Sequence, residues 1–513
     1  MNIYTLAYGN EKPDNTYIGK NLKTGLRISP GNNHHSRHII GIPKTGKSNL
    51  MSRYIIEDIA RNDKAIVVFD PHTDLVRDIA LRCPPEQADR VVYFNPYIQY
   101  RQEQRILGFN PFQVQNLVAE YEERSQAILN TFAELWYKTY QFAPLMQNTL
   151  ETLIRTLILA YPHCQTSFYH MLLLVELSET GDYWRHKLAK YADHNAALSQ
   201  NWHEWAVSPR RTQLKEDTNS SRYKIKHVIN SDILAAILFQ PTSAPCFDFA
   251  KFIARKGVLL VGLHGLGKEG IPLIGSLILT QLLASVKVMA EGERLPCHIY
   301  ADEFHNFNTE SFVEIIDQAR KFNLFCTLAH QRLNQLNGDT ISAVATCDST
   351  IVFRVPHDDA TKLSKYFTTT KGYLAPRVLN KLKDWQAVVK YKDEREVKQV
   401  AVTTLAANYP ENKEVFSQIW QQSLQQGRTL AEVRRYKAEV EQSPAMPDRY
   451  KAQPKTPDKA DFPKKKERPY DGVPEPDESD FRQKGKRPPV PPHPPSDSDS
   501  DDQPNKPEKG DWV

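Results

Sequence analysis

The sequence predicts a doubly wound α/β fold: a mostly parallel sheet around a phosphate-binding loop, interrupted by an all-helical insertion and followed by a tail that builds no core. Three observations lead there. The stretch GIPKTGKS, Gly41 to Ser48, fits G-x-x-x-x-G-K-[ST] and lies between an apolar segment and an amphipathic one. Further short apolar runs alternate with helical patterns. Between them, Gln115 to about Ser243 carries almost no strand signal.

Taken in order, HIIG (His38 to Gly41) reads as a buried strand. SNLMSRYIIEDIARND then reads as a helix, with Met51, Tyr54, Ile55 and Ile59 at helical spacing and Asn62-Asp63 closing it. A strand–loop–helix of this kind turns the backbone N–H groups of positions 44 to 48 into an anion nest at a helix N-terminus. Gly41, Lys44, Thr45, Gly46, Lys47, Ser48 and Asn49 are therefore the expected nucleotide contacts. Lys47 would reach the β- and γ-phosphates and the Ser48 hydroxyl would ligate Mg²⁺.

AIVVFDPHTD (Ala65–Asp74), VVYFNP (Val91–Pro96) and GVLLVGLH (Gly257–His264) read as further parallel strands. QNLVAEYEERSQAILNTFAELWYK, PLMQNTLETLIRTLILAY and NSDILAAILF between them read as helices. HIYADEFHNF places Asp302-Glu303 at the end of an apolar strand, the arrangement in which a first acid holds Mg²⁺ through water and the next acts as general base. A helix ending in Arg320-Lys321 leads into LFCTLAH, which delivers Gln331 beside that strand, where a polar group can sense a γ-phosphate or position water. STIVFRV (Ser349–Val355) and WQAVVKY (Trp385–Tyr391) are expected to complete the sheet; Arg354 there reads as structural rather than nucleotide-sensing. The expected domains are 1–114 and 244–410 for the two parts of the sheet domain, 115–243 for the insertion, 411–441 for C-terminal helices and 442–513 for the tail.

Composition excludes several classes. The cysteines Cys83, Cys164, Cys246, Cys297, Cys326 and Cys347 are scattered without metal spacing, as in a reducing cytoplasm. No signal peptide or membrane span is expected; IPLIGSLILTQLLASV, interrupted by Pro272 and Gln281, reads as a core helix. Net charge is +5, and the segment from Glu441 onward carries 14 basic and 16 acidic side chains, which leaves +7 on residues 1–440. A mild basic excess suits a protein that meets nucleic acid. In SPRRTQLKEDTNSSRYKIKH (Ser208–His227), Arg210, Arg211, Lys215, Arg222, Lys224 and Lys226 would suit phosphate contacts or a solvated connection equally. GLGKEG (Gly265–Gly270) is a candidate pore loop. Residues 442–513 hold 16 of the 34 prolines, include RPPVPPHPP, and read as a disordered tail that either solubilises or docks a partner.

Together these motifs resemble the HerA–FtsK superfamily of hexameric DNA-pumping ATPases, and within it the TraG/TraD-type coupling proteins of conjugative type IV secretion. The resemblance covers roughly residues 15–405 and rests on GIPKTGKSNL, VFDPHTDL, IYADEFHNF, QARKFNL with AHQ, and IVFRV followed by DDA. It implies a RecA-like P-loop NTPase fold, ATP and Mg²⁺ as cofactors, DNA as partner and a hexameric ring. It assigns hydrolysis to Lys47, Ser48, Asp302, Glu303 and Gln331, and a role on the neighbouring subunit's ATP to Arg320. Two positions depart from the family: Pro43-Lys44-Thr45 stands where T-G-[SA] is usual, and Thr73 stands where D-P-H-G-D has glycine, although a β-branched residue tolerates φ > 0 poorly. Membrane-anchored coupling proteins carry N-terminal transmembrane helices, and none is expected here. The function implied is an ATP-dependent DNA translocase of conjugation or mobile-element type, cytoplasmic or peripheral to the inner membrane, with a relaxase, nuclease or secretion-channel partner reached through the tail. The alternatives are a HerA-like ATPase working with a nuclease, and a nucleotide-gated docking adaptor.

Overall fold

The computed structural model describes residues 17–442, apart from 30–33, 142, 194, 208–210, 308, 370–371 and 394–395. The expectations for the Pro-rich tail fall outside the described residues. The fold is organised by an 11-stranded sheet. Its strands are β1 (Gly19–Asn21), β2 (Arg27–Ile28), β3 (Arg37–Ile40), β4 (Ala65–Asp70), β5 (Val91–Phe94) and β6 (Val258–Gly262), followed by β7 (Cys297–Ala301), β8 (Leu324–His330), β9 (Ser349–Val352), β10 (Gln386–Asp393) and β11 (Glu396–Thr404). The order across the sheet is β2-β1-β11-β10-β9-β3-β8-β7-β4-β6-β5. From β9 to β5 every pairing is parallel; from β9 out to β2 every pairing is antiparallel.

The central strands are continuous apolar runs because both faces are covered. All six residues of β4 are buried, and they alternate between two cores. Ile66 and Val68 join Leu50, Met51, Tyr54, Ile55 and Ile59 of helix α1 (Lys47–Arg61) on one face. Val67 and Phe69 join the helices of the other face, including α2 (Leu117–Leu135) and α3 (Gly267–Val288). Between α2 and Leu238 the described regular elements are all helical. α3 is long and apolar enough to cross a membrane, yet 78% of its most apolar window is buried within the fold. Its apolarity is that of a helix covered on nearly all sides.

The sheet does not end with β9 and β10, as the sequence led us to expect. β11 forms a hairpin with β10, and β1 and β2 extend the sheet further. EVKQVAVTT is rich in charged and amide side chains because much of this edge is exposed, and β1 and β2 are too short to show a period. Cys83, Cys246, Cys297 and Cys326 are unpaired buried thiols that pack as small apolar residues.

Candidate active site

The carboxyl ends of β3, β8 and β7, three adjacent parallel strands, converge on one corner. β3 runs into the loop Gly41–Gly46, which enters α1. Lys44 (φ 65°) and Gly46 (φ 114°) are both left-handed, and such alternation gathers successive N–H groups into a nest. Gly46 cannot carry a side chain without cost: a Cβ would come within 3.2 Å of Phe353 Cε1 and 3.4 Å of Trp385 Cε3. Thr45 is buried and its hydroxyl donates to the Ile42 carbonyl at 2.7 Å, closing the loop on itself.

Lys47 is the charged centre of this corner. It is only 6% exposed, and its ammonium donates to the carbonyls of Gly41 (2.6 Å) and Ile42 (3.3 Å). Burial holds its pKa down, while Asp302 and Glu303 oppose that shift. Asp302, following β7, has its carboxyl raised to about 6, chiefly by burial and then by Glu303 and Asp70, with Lys47 opposing. Asp302 Oδ2 lies 3.5 Å from the Ser48 hydroxyl. A carboxylate and a hydroxyl so placed are hard oxygen donors of the kind Mg²⁺ selects, and Lys47 supplies the compact charge a phosphate would meet.

Glu303 adopts a left-handed backbone (φ 44°) and is 6% exposed. Its Oε1 accepts a hydrogen bond from Gln331 Nε2 at 2.6 Å. Its Oε2 lies 3.6 Å from Nδ1 of His305 and accepts no hydrogen bond among the described residues. A buried carboxylate with one oxygen engaged and one open can receive a proton from water. Gln331 is set by its neighbour. His330 Nε2 lies 2.8 Å from His38 Nε2, and the rings stack at 5.0 Å. His330 Nδ1 lies 3.0 Å from the Arg332 carbonyl, so Nδ1 carries the proton and Nε2 accepts from His38 Nε2–H. Burial keeps both imidazoles neutral, His38 lowered to about 4 and His330 well below its usual value. This pair ties the strand before the phosphate loop to the strand before Gln331. Sequence reasoning missed it because it depends on a β3–β8 register set by residues almost 300 apart.

Other expectations resolve differently. Asn49 uses its carboxamide to accept from the Ala407 N–H at 3.1 Å, leaving its backbone as the contact available to a nucleotide. Arg354 donates to Asp384 (2.7 Å) and the Leu382 carbonyl (3.2 Å), a structural role. Arg320 lies in helix Thr309–Phe322, but its side chain is outside the described residues. Thr73 does take a left-handed backbone (φ 75°), and Gly262 accommodates it, since a Cβ on Gly262 would meet Thr73 Cγ2 at 2.8 Å. The Thr73 hydroxyl accepts from the His264 N–H at 3.2 Å. The basic stretch forms helix Arg211–Ile229; Arg210 and the side chain of Arg211 lie outside the described residues. Lys215 and Lys226 are exposed, Arg222 and Lys224 half-buried, and Lys226 pairs with Glu176 at 3.2 Å. Gly265 and Gly267 are both left-handed, and His264, Lys268 and Glu269 are exposed beside the N-terminus of α3.

No family model and no curated relative matches the sequence. The fold, however, is similar to solved structures. The plasmid coupling protein TrwB in complex with ADP and Mg²⁺ superposes with a TM-score of 0.57 at 15% identity, covering 78% of this chain and 92% of that one. TrwB in complex with the non-hydrolysable ATP analogue ADPNP gives 0.56 at 15% identity, covering 79% and 93%. At that identity the likeness establishes the RecA-like P-loop NTPase fold.

Proposed function

We propose that this chain is an ATP-hydrolysing motor that moves DNA, of conjugation or mobile-element type, working as a hexameric ring. One observation carries the reading most: Lys47, the Ser48–Asp302 pair and the Glu303–Gln331 bond stand together at the carboxyl ends of three adjacent parallel strands, on a fold shared with a plasmid coupling protein. In this reading Lys47 exchanges its carbonyl partners for β- and γ-phosphate oxygens. Ser48 and Asp302 would hold Mg²⁺, which would supply positive charge against the phosphates. Glu303 Oε2 takes a proton from the attacking water, and Gln331 fixes the carboxylate while sensing the γ-phosphate. The backbones of Gly41, Lys44, Thr45, Gly46 and Asn49 complete the cradle. A cytoplasmic setting, free or peripheral to the inner membrane, goes with this reading.

ATP hydrolysis measured with and without DNA tests it. Stimulation by DNA is the expected result; ATP-dependent assembly that DNA leaves unstimulated would replace the motor with a nucleotide-gated adaptor. Arg320 is assigned to the neighbouring subunit's ATP. Arg320→Ala should bind ATP but hydrolyse it about 10³-fold more slowly or worse. Mixing it with Lys47→Ala subunits should restore part of the activity, and mixed rings as inactive as either parent would remove the assignment.

A further inference from the structure

Trp385 is the one described tryptophan in the 40%-exposed range, and it borders the phosphate loop. Its backbone is left-handed (φ 68°), a conformation that costs a bulky residue energy and that clusters at ligand clamps. The strain is held by named contacts. Trp385 N–H donates to the Thr45 carbonyl inside the phosphate loop at 2.9 Å, and its carbonyl accepts from the Thr404 N–H at 2.8 Å. The preceding residue, Asp384, is gripped by Arg354 at 2.7 Å. The indole reaches Gly46, where a Cβ would sit 3.4 Å from Trp385 Cε3. A large aromatic ring is thus fixed at its backbone, set against the loop and left substantially open to solvent.

Its position relative to the catalytic groups gives the direction. Asp302, Glu303 and Gln331 follow β7 and β8, on one side of β3, and so mark where a γ-phosphate ends. Trp385 immediately precedes β10, which lies beyond β9 on the other side of β3. A triphosphate lying across the N-terminus of α1 with its γ end at Glu303 must send its nucleoside toward the β9–β10 side. There the chain after β11 also returns to α1, through the Ala407 bond to Asn49. Aromatic rings and nucleobases stack through their π-faces with little regard to base identity.

We infer that Trp385 is the platform on which the nucleobase of the bound nucleotide stacks. This rests on the nucleotide-site reading above and adds the group that recognises the base.

Isothermal titration with Mg²⁺·ATP and with inorganic tripolyphosphate tests it on the full chain. Tripolyphosphate engages the loop but has no base. Trp385→Ala should weaken ATP binding by roughly 5- to 100-fold and leave tripolyphosphate binding unchanged. Trp385→Phe, which keeps a ring and the same backbone bonds, should retain most of the ATP affinity. Equal weakening of both probes in Trp385→Ala would reduce Trp385 to a brace for the loop and overturn the inference, as would unchanged ATP affinity. In both cases the nucleotide site would stand. Wild-type protein that binds neither probe would instead remove the site, and the inference with it.

Discussion

The two ends of the same parallel strands use buried charge in opposite ways. Near the amino ends of β3, β4 and β7, under the last turns of α1, charged groups are closed on one another. Lys64, 0% exposed, lies 3.4 Å from Asp58 and 3.6 Å from Asp63. Asp58 also pairs with Arg61 and accepts from the Tyr300 hydroxyl at 2.7 Å. Arg37 donates to Thr327 (3.3 Å) and sits 4.9 Å over the Tyr54 ring. At the carboxyl ends, Lys47 is satisfied only by two loop carbonyls, and Glu303 keeps an oxygen without a hydrogen bond among the described residues. In the first arrangement Arg61 and Lys64 already have carboxylate partners. The second is stable enough to fold and still unfinished, and a nucleotide would finish it.

The sharpest way to break this comparison is to remove one acid from each end. Glu303→Gln keeps the shape of the site and its bond to Gln331 but cannot take a proton. We expect ATP binding and melting temperature to hold while turnover falls by about 10²–10⁴-fold. Hydrolysis comparable to wild type would show that Glu303 is as inert as the acids at the other end. Asp58→Ala should do the reverse. It takes from Lys64 the nearer of its two carboxylates, removes the partner of Arg61 and leaves the Tyr300 hydroxyl unpaired, so stability should fall by about 3–5 kcal/mol in denaturant titration. The folded fraction should still bind ATP with wild-type affinity; selective loss of ATP binding without loss of stability would join the two ends functionally.

A smaller effect concerns acid. His38 is fully buried with its pKa lowered from 6.5 to about 4, chiefly by desolvation. Between those values the unfolded chain binds a proton that the native chain refuses, so stability is complete above pH 6.5 and declines as pH falls toward 4. The contribution of His38 should reach roughly 2 kcal/mol by pH 5. His38→Gln should flatten the pH dependence of the denaturation midpoint in that window, and an unchanged slope would mean that His38 is protonated in the native state.

How much of this was legible before the fold was known follows the same division. The phosphate loop and Asp302-Glu303 are contiguous motifs at strand ends, and their chemistry depends on local order: a glycine, a lysine and a hydroxyl in one turn, two acids after one apolar run. Gln331 could be named because it too ends a strand. The parallel sheet was readable because strands covered on both faces must be apolar throughout. What could not be read depends on register or on exposed edges. His38 meets His330 only once β3 lies beside β8. Trp385 was read at the start of a strand, but it meets Gly46 only once β10 pairs antiparallel with β9, which no local pattern shows. The buried Asp58–Lys64 pair, and Arg37 over the Tyr54 ring, likewise look from the sequence like ordinary surface charge.

The smallest expected effect tests a compensation near the site rather than the site itself. Thr73 occupies a left-handed position that strains a β-branched residue, yet three things soften the cost. The preceding turn is held by Asp70, which accepts from the N–H groups of His72 (2.8 Å) and Leu75 (2.7 Å). The Thr73 hydroxyl accepts from the His264 N–H, and Gly262 leaves room for its methyl group. Thr73→Gly relieves the strain but loosens the unfolded chain and leaves the His264 N–H to water. These terms oppose one another, so stability should change by less than about 1 kcal/mol. Gly262→Ala in the wild type drives a methyl group to within 2.8 Å of Thr73 and 3.0 Å of Val76, and should cost about 1–3 kcal/mol. With Thr73→Gly already present, the two closest contacts are gone and Val76 at 3.0 Å becomes the nearest, so the same alanine should cost clearly less. A double-mutant cycle in denaturant reads the difference directly. Strict additivity of the two substitutions would mean that Thr73 and Gly262 do not share the space, and that the threonine is held in its left-handed turn by the Asp70 and His264 hydrogen bonds without help from Gly262.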